Sequence, residues 1–177
     1  AFLSVGAKEL RWNWASIDLN DIKFTKDFLW GAATAAYQIE GNLVNNWSKW
    51  ENEHHSNGEP KIKNGDKCGQ SCDHWNRYKE DFKLIKDLGL NSYRFSVEWS
   101  RIEPDEGCFN EAALEQYKDM CKELLRLGIK PMLTIHHFTN PVWFEDKGAF
   151  EKKENTKYLV RFAEKVFEEL SPYVDMW

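Results

Sequence analysis

The stretch "CDHWNRYKEDFKLIKDLGLNSYRFSVEWS", Cys72 to Ser100, decides the fold. Its first part places Trp75, Tyr78, Phe82, Ile85 and Leu88 at three- and four-residue steps, the spacing of one helix face. Asp73 stands where an N-cap is expected and Gly89 where the helix must stop. The following "LNSYRFSVEWS" is rich in aromatic and β-branched residues and reads as a strand. The same cycle then recurs. "NEAALEQYKDMCKELLRLG" predicts a second helix from Asn110 to Gly128, and "IKPMLTIHHF" predicts the strand after it. The two helix stops, "DLGL" and "RLGI", set Gly89 and Gly128 39 residues apart. A third helix is expected from about Asn155 to Leu170, after which "SPYVDMW" opens another strand. Upstream, "FLWGAATAAYQIEG", Phe28 to Gly41, reads as the first strand despite its small residues.

Strand–helix alternation at this period implies parallel strands joined by crossovers. Either a doubly wound sheet or a (β/α)8 TIM barrel fits the pattern. No glycine-rich phosphate loop follows any strand, which favours the barrel. A complete barrel takes about 250 residues, whereas this chain has 177. The expectation is therefore roughly the first half of a barrel, strands 1–3 and the start of strand 4. Residues 27–177 form that portion, residues 1–26 an N-terminal arm, and the remainder of the barrel is the expected partner.

The bulk properties narrow the function classes. Net charge is −5, with both signs interspersed, which argues against nucleic acid or an anionic membrane as partner. No apolar run approaches the roughly 18 residues that span a bilayer. Nine tryptophans and 15% aromatic residues fit either a Trp-heavy core or a cleft that stacks flat ligand faces. Cys68, Cys72, Cys108 and Cys121 follow no framework spacing, and no signal-peptide pattern opens the chain, so reduced thiols and a cytoplasmic location are expected.

Chemistry in such folds collects at the carboxyl ends of the strands. Gln38 and Glu40 stand there after the first strand, Arg94 through Glu98 in and after the second, and His136 and His137 after the third. Each has two readings. Gln38 either satisfies a loop carbonyl or uses its amide to donate to and accept from sugar hydroxyls. Arg94 either pairs with a neighbouring strand or keeps a catalytic carboxylate ionised. Glu40 and Glu98 are either loop salt-bridge partners or the paired carboxylates of glycoside hydrolysis. Adjacent histidines on a strand point to opposite faces, so one is expected to face the barrel interior and the other to pack outward. The rival reading is zinc, drawing on the His54–His55 and His136–His137 pairs with Cys68, Cys72 and His74. It is the least favoured reading, because adjacent histidines on a strand diverge and the Cys-x3-Cys-x-His run lacks a matching second half; no metal or other cofactor is expected.

Taken together, these segments resemble glycoside hydrolase family 1, the retaining β-glucosidases and β-galactosidases. "FLWGAATAAYQIEG" is similar to the family's N-terminal signature, with Asn42 standing just beyond it where a small residue is usual. "YRFSVEWSRIEP" (Tyr93–Pro104) resembles its second-strand motif, "TIHHFTNPVWF" (Thr134–Phe144) its third, and "NNWSKWE" (Asn45–Glu51) its loop after strand one. The resemblance implies that Gln38 and His137 bind hydroxyls of the −1 sugar and that Phe138 lies near that sugar. It further implies that Arg94 sits beside the nucleophile, that His136 packs, and that Glu40 and Glu98 are not the catalytic groups. The family's acid/base glutamate lies in an Asn-Glu-Pro and its nucleophile in a Glu-Asn-Gly, and neither triplet occurs in these 177 residues. The implied role is part of a retaining β-glycosidase acting on terminal β-D-glucosyl or galactosyl O-glycosides, inactive as this chain alone. The alternative is a non-catalytic half-barrel that binds sugar or a partner.

Overall fold

The computed structural model describes Ser16, Asp18 and residues 22–177. Most of the arm expected over residues 1–26 lies outside the described residues. Three strands, β1 (Gly31–Ala33), β2 (Ser92–Ser96) and β3 (Lys130–Thr134), form a parallel sheet in the order β1-β2-β3. Each crossover adds its strand on the same side of the last. That steady progression is the winding of a barrel, whereas a doubly wound sheet reverses direction at its switch point. Met176 pairs in parallel with Met132, and the Leu133 amide donates to the Met176 carbonyl at 2.9 Å. A fourth strand position is thus started beside β3.

Two long crossover helices, α3 (His74–Asp87) and α5 (Glu111–Arg126), join the strands, and α7 (Thr156–Leu170) follows β3. Gly89 and Gly128 take left-handed φ values of 77° and 72° just past α3 and α5, as the stop signals require. Asn110 caps α5 by accepting from the Ala113 amide at 3.1 Å. Asp73 occupies the cap position of α3 but with φ 56° and no side-chain cap bond; its carboxylate accepts from Asn76 Nδ2 instead.

The helices cover one face of the sheet. Tyr93 and Phe95 of β2 point into that layer and stack 5.7 Å apart, meeting Phe82 of α3, Tyr117 and Leu124 of α5 and Phe162 of α7. Burying each such side chain contributes about 1.5–3 kcal/mol. The other face carries Arg94, with Ala33 and Met132 level with it in neighbouring strands. Arg94 is exposed, because no element of the described residues packs over this face.

The short elements depart from expectation. The strand predicted over Phe28–Gly41 shrinks to Gly31–Ala33, and Ala36–Ile39 forms a helical turn, α1. The cause is tertiary: Ser96 Oγ accepts the Ala36 amide at 2.8 Å and pulls the chain out of register with β2. Gly41, φ 84°, then passes so close to the Gln70 carbonyl that any Cβ would collide with backbone. Further short helices, α2 (Asn46–Glu51), α4 (Trp99–Ile102) and α6 (Val142–Asp146), follow the three strands.

At the start of α3, His74 is buried, with Nδ1 2.6 Å from Asp81 and Nε2 unpartnered among the described residues. Burial holds its pKa below the ordinary 6.5 against the pull of Asp81. The unfolded chain therefore takes up this proton first, so stability is expected to fall as pH drops below 6.5. Urea titrations at several pH values should show that slope, and His74→Gln should reduce it.

Candidate functional site

The carboxyl ends of all three parallel strands lie along one rim. The chain leaves β1 and β2 within two residues into short helices, whereas after β3 seven irregular residues precede α6. α1 carries Gln38, which is exposed, and its neighbour Tyr37, which is buried. Arg94 sits in the middle of β2 with no side-chain partner among the described residues, so the strand-to-strand ion pair is not formed.

β3 stops at Thr134, two residues before the histidine pair. The period-two argument for opposite faces therefore does not apply to His136 and His137; the backbone there is irregular. His136 lies against Trp99 and Phe150, and its Nε2 is 2.9 Å from Asn140 Oδ1. His137 is half-buried, with its ring 5.2 Å from that of Phe138. Phe138 is the centre of a three-residue turn closed by the Thr139 amide on the His137 carbonyl at 2.8 Å. Its φ of 53° is costly for an aromatic residue, and such strain persists only where surrounding contacts enforce it.

Those contacts are visible. The Phe138 ring meets Tyr37 edge-on at 6.2 Å and Trp47 at 5.4 Å. Tyr37 is next in sequence to Gln38, and Phe138 is next to His137. This ring contact brings the two chain segments together across the rim, although they are about a hundred residues apart. Trp47 in turn packs edge-on against Trp50 at 5.6 Å. The result is a row of exposed aromatic faces, Phe138, Trp47 and Trp50, on a rigid base.

The base is a network of buried acids. Glu98 has no exposed surface; its Oε1 accepts from Asn45 Nδ2 (3.2 Å) and Ser100 Oγ (2.7 Å), and its Oε2 from Thr139 Oγ1 (2.8 Å). Asn45 caps α2 through the Ser48 amide, so Glu98 ties the segment bearing Trp47 to the turn bearing His137 and Phe138. Tyr117 Oη donates to Glu40 Oε1 at 2.6 Å and accepts the Glu98 amide at 2.9 Å. Arg101 Nε donates to Glu40 Oε2 at 3.0 Å while its guanidinium lies 3.9 Å from the Trp75 ring centre. Burial pushes the Glu40 carboxyl up to about 7, against the opposing pull of Arg101 and Tyr117. Glu51 accepts from the Tyr37 hydroxyl and from the Cys68 amide, holding Tyr37 under Phe138. Every oxygen of Glu40 and Glu98 is engaged: Glu40 is the salt-bridge partner of Arg101, whereas Glu98 is held by neutral donors, so the salt-bridge reading describes only the first. The sequence contains no local sign of this network: Tyr37, Asn45, Thr139 and Tyr117 read as ordinary loop or core residues until the strands are aligned.

Cys68, Cys72, Cys108 and Cys121 are all free. Among the described residues no three His, Cys, Asp or Glu side chains gather to hold a metal, and no helix is long and apolar enough to cross a membrane.

With the geometry in place, comparisons give it context. The family description "Glycosyl hydrolase family 1" matches residues 20–177. Beta-glucosidase A of Acetivibrio thermocellus is 39% identical over 163 residues, which cover 90% of this chain and 36% of that protein. Beta-glucosidase A of Thermotoga maritima is 38% identical over 90% of this chain and 36% of its own length. Among solved structures, a family 1 β-glucosidase from Thermotoga maritima superposes with a TM-score of 0.80 at 37% identity, covering 88% of this chain and 35% of that one. The same enzyme in complex with deoxynojirimycin superposes equally well. The chain thus spans about a third of the length of the relatives it matches.

Proposed function

Because this chain belongs to glycosyl hydrolase family 1, we propose that it is the sugar-recognising portion of a retaining β-glycosidase acting on terminal β-D-glucosyl or galactosyl O-glycosides. Residues 27–177 are the barrel portion in this reading, and residues 1–26 are an arm. Gln38 donates and accepts with its amide to hold vicinal hydroxyls of the −1 sugar, and His137 holds another. Phe138 packs near the sugar. Arg94, unpaired within the described residues and facing the barrel axis, lies beside the nucleophile carboxylate and favours its ionised form. That carboxylate attacks the anomeric carbon; a second carboxyl group protonates the leaving oxygen and later activates water. Both carboxyl groups come from the remainder of the barrel, since the family's two glutamate triplets are absent from these 177 residues. In this reading the protein is cytoplasmic and its ligand is a small β-glycoside, with neither nucleic acid nor membrane as partner; the net charge of −5 disfavours polyanionic partners.

The observation that carries the reading is the edge contact of Tyr37 with Phe138, which joins the Gln38 and His137 segments at one rim. A chimera tests it. Residues 27–177 replace the matching third of Thermotoga maritima beta-glucosidase A, and turnover of a nitrophenyl β-glucoside is measured. Activity within about a hundredfold of the parent is expected, since the recognition groups would be equivalent. A folded chimera without turnover would reject the proposal.

A further inference from the structure

Of the four free cysteines, Cys68 and Cys72 lie on one loop, between α2 and α3. Two overlapping turns coil that loop back on itself. The Ser71 amide donates to the Cys68 carbonyl at 3.0 Å, and the Asp73 amide donates to the Gln70 carbonyl, also at 3.0 Å. Each such turn brings the Cα atoms at its ends within about 7 Å. The thiols are close enough for charge on Cys72 to act on Cys68. Cys72 is exposed, whereas Cys68 is half-covered and burial holds its thiol above the ordinary cysteine pKa. An exposed thiol beside a covered one suits a pair in which the first meets an oxidant and the second resolves it. The same loop is fastened to the rim. Cys68 Sγ donates to the Tyr37 carbonyl at 3.0 Å, the Cys68 amide donates to Glu51 Oε1 at 3.1 Å, and the Ser71 hydroxyl donates to the Gln38 carbonyl. The peptide groups on both sides of Gln38 therefore hang from this loop. A disulfide sulfur has no proton to donate, so joining Cys68 to Cys72 takes the thiol donor away from the Tyr37 carbonyl.

We propose that Cys68 and Cys72 are a peroxide-responsive pair, whose reversible disulfide loosens the Tyr37–Gln38 turn at the rim. The Cys72 thiolate attacks one oxygen of hydrogen peroxide and the O–O bond breaks. A sulfenic acid forms on Cys72, and the departing hydroxide takes up the proton that the thiol gave up, leaving as water. The Cys68 sulfur then attacks the Cys72 sulfur, the S–O bond breaks, and the hydroxyl leaves with the Cys68 proton as a second water. Two thiols are thus oxidised to one disulfide while the peroxide is reduced to two waters, and a dithiol reductant reverses the change. The effect on sugar binding rests on Gln38 holding the sugar, as in the proposed function; the disulfide itself does not.

The test treats the 177-residue chain with hydrogen peroxide, unfolds it in urea with iodoacetamide present, and maps the peptides by mass. Cys68 and Cys72 are expected to be joined and unlabelled while Cys108 and Cys121 carry the label, and dithiothreitol is expected to restore both thiols. In Cys72→Ser, Cys68 should remain open to labelling. In the 15N-labelled chain the amide signals of Gln38 and Ile39 are expected to shift on oxidation, to return on reduction, and to stay put in Cys72→Ser. Affinity for glucose is expected to fall about two- to tenfold in the disulfide form, the worth of one lost hydrogen bond. Cys72 paired with Cys108, or carried on to a sulfinic acid with Cys68 still free, overturns the pair. Unmoved Gln38 and Ile39 signals in the disulfide form overturn its hold on the rim. A disulfide that moves both signals, with glucose binding equally to both forms or to neither, upholds the switch and overturns instead the placing of the sugar at Gln38.

Discussion

Incubated with a nitrophenyl β-glucoside, the 177-residue chain is expected to release nitrophenol at least about 10⁴-fold more slowly than its full-length relatives. In the proposed function the groups at its rim recognise and orient, and neither the attack on carbon nor the protonation of the leaving group is theirs. Gln38 and His137 are hydrogen-bonding side chains, and in the proposed function Arg94 would act on a carboxylate that these 177 residues do not contain. The buried acids behind the rim are already engaged. Glu40 is held by Arg101 and Tyr117, and Glu98 by Asn45, Ser100 and Thr139. The assay should use material whose intact mass confirms the 177 residues. Turnover near that of a complete enzyme would mean that one of these buried acids is reactive after all.

The second large effect is expected from Glu98→Ala. The substitution leaves the Asn45 amide and the hydroxyls of Ser100 and Thr139 without their acceptor, in a site with no exposed surface. Unsatisfied buried donors cost about 1–3 kcal/mol each, so a loss of about 4 kcal/mol is expected in urea unfolding. Glu98→Gln keeps the shape and one carbonyl acceptor, and the Thr139 hydroxyl can turn to accept from the new amide; a cost of about 1 kcal/mol is expected. Equal losses in the two variants would show that packing volume, not the hydrogen bonds, holds the loops. Because Glu98 joins the segment of Trp47 to the turn of Phe138, the alanine variant should also loosen the aromatic row.

Long-range order in this fold was legible where one residue type repeats at a helical step. The faces of α3 and α5 and their stops at Gly89 and Gly128 follow from side-chain period and left-handed backbone alone. The extent of β1 was not legible, because Ala36 turns helical in response to Ser96, sixty residues away. The histidine pair misled for a related reason. A period-two argument needs a strand, and β3 ends at Thr134, before the pair begins. The buried acids were hidden too: Glu40 and Glu98 read as loop residues, and only the alignment of three strand ends brings Tyr117, Asn45 and Thr139 around them. That Gln38 and His137 follow strand ends was readable, while Arg94 falls in the middle of β2; the Phe138–Tyr37 contact that brings the Gln38 and His137 segments together was not readable.

The central claim is that Gln38 and His137 grip one sugar at this rim. Its most direct measurement is kcat/KM of the chimera carrying Gln38→Ala or His137→Ala, with unfolding midpoints recorded alongside. Each substitution is predicted to lower kcat/KM by about 10²–10³-fold while the midpoint stays put, as loss of a transition-state hydrogen bond requires. Values within about twofold of the unsubstituted chimera would contradict the account.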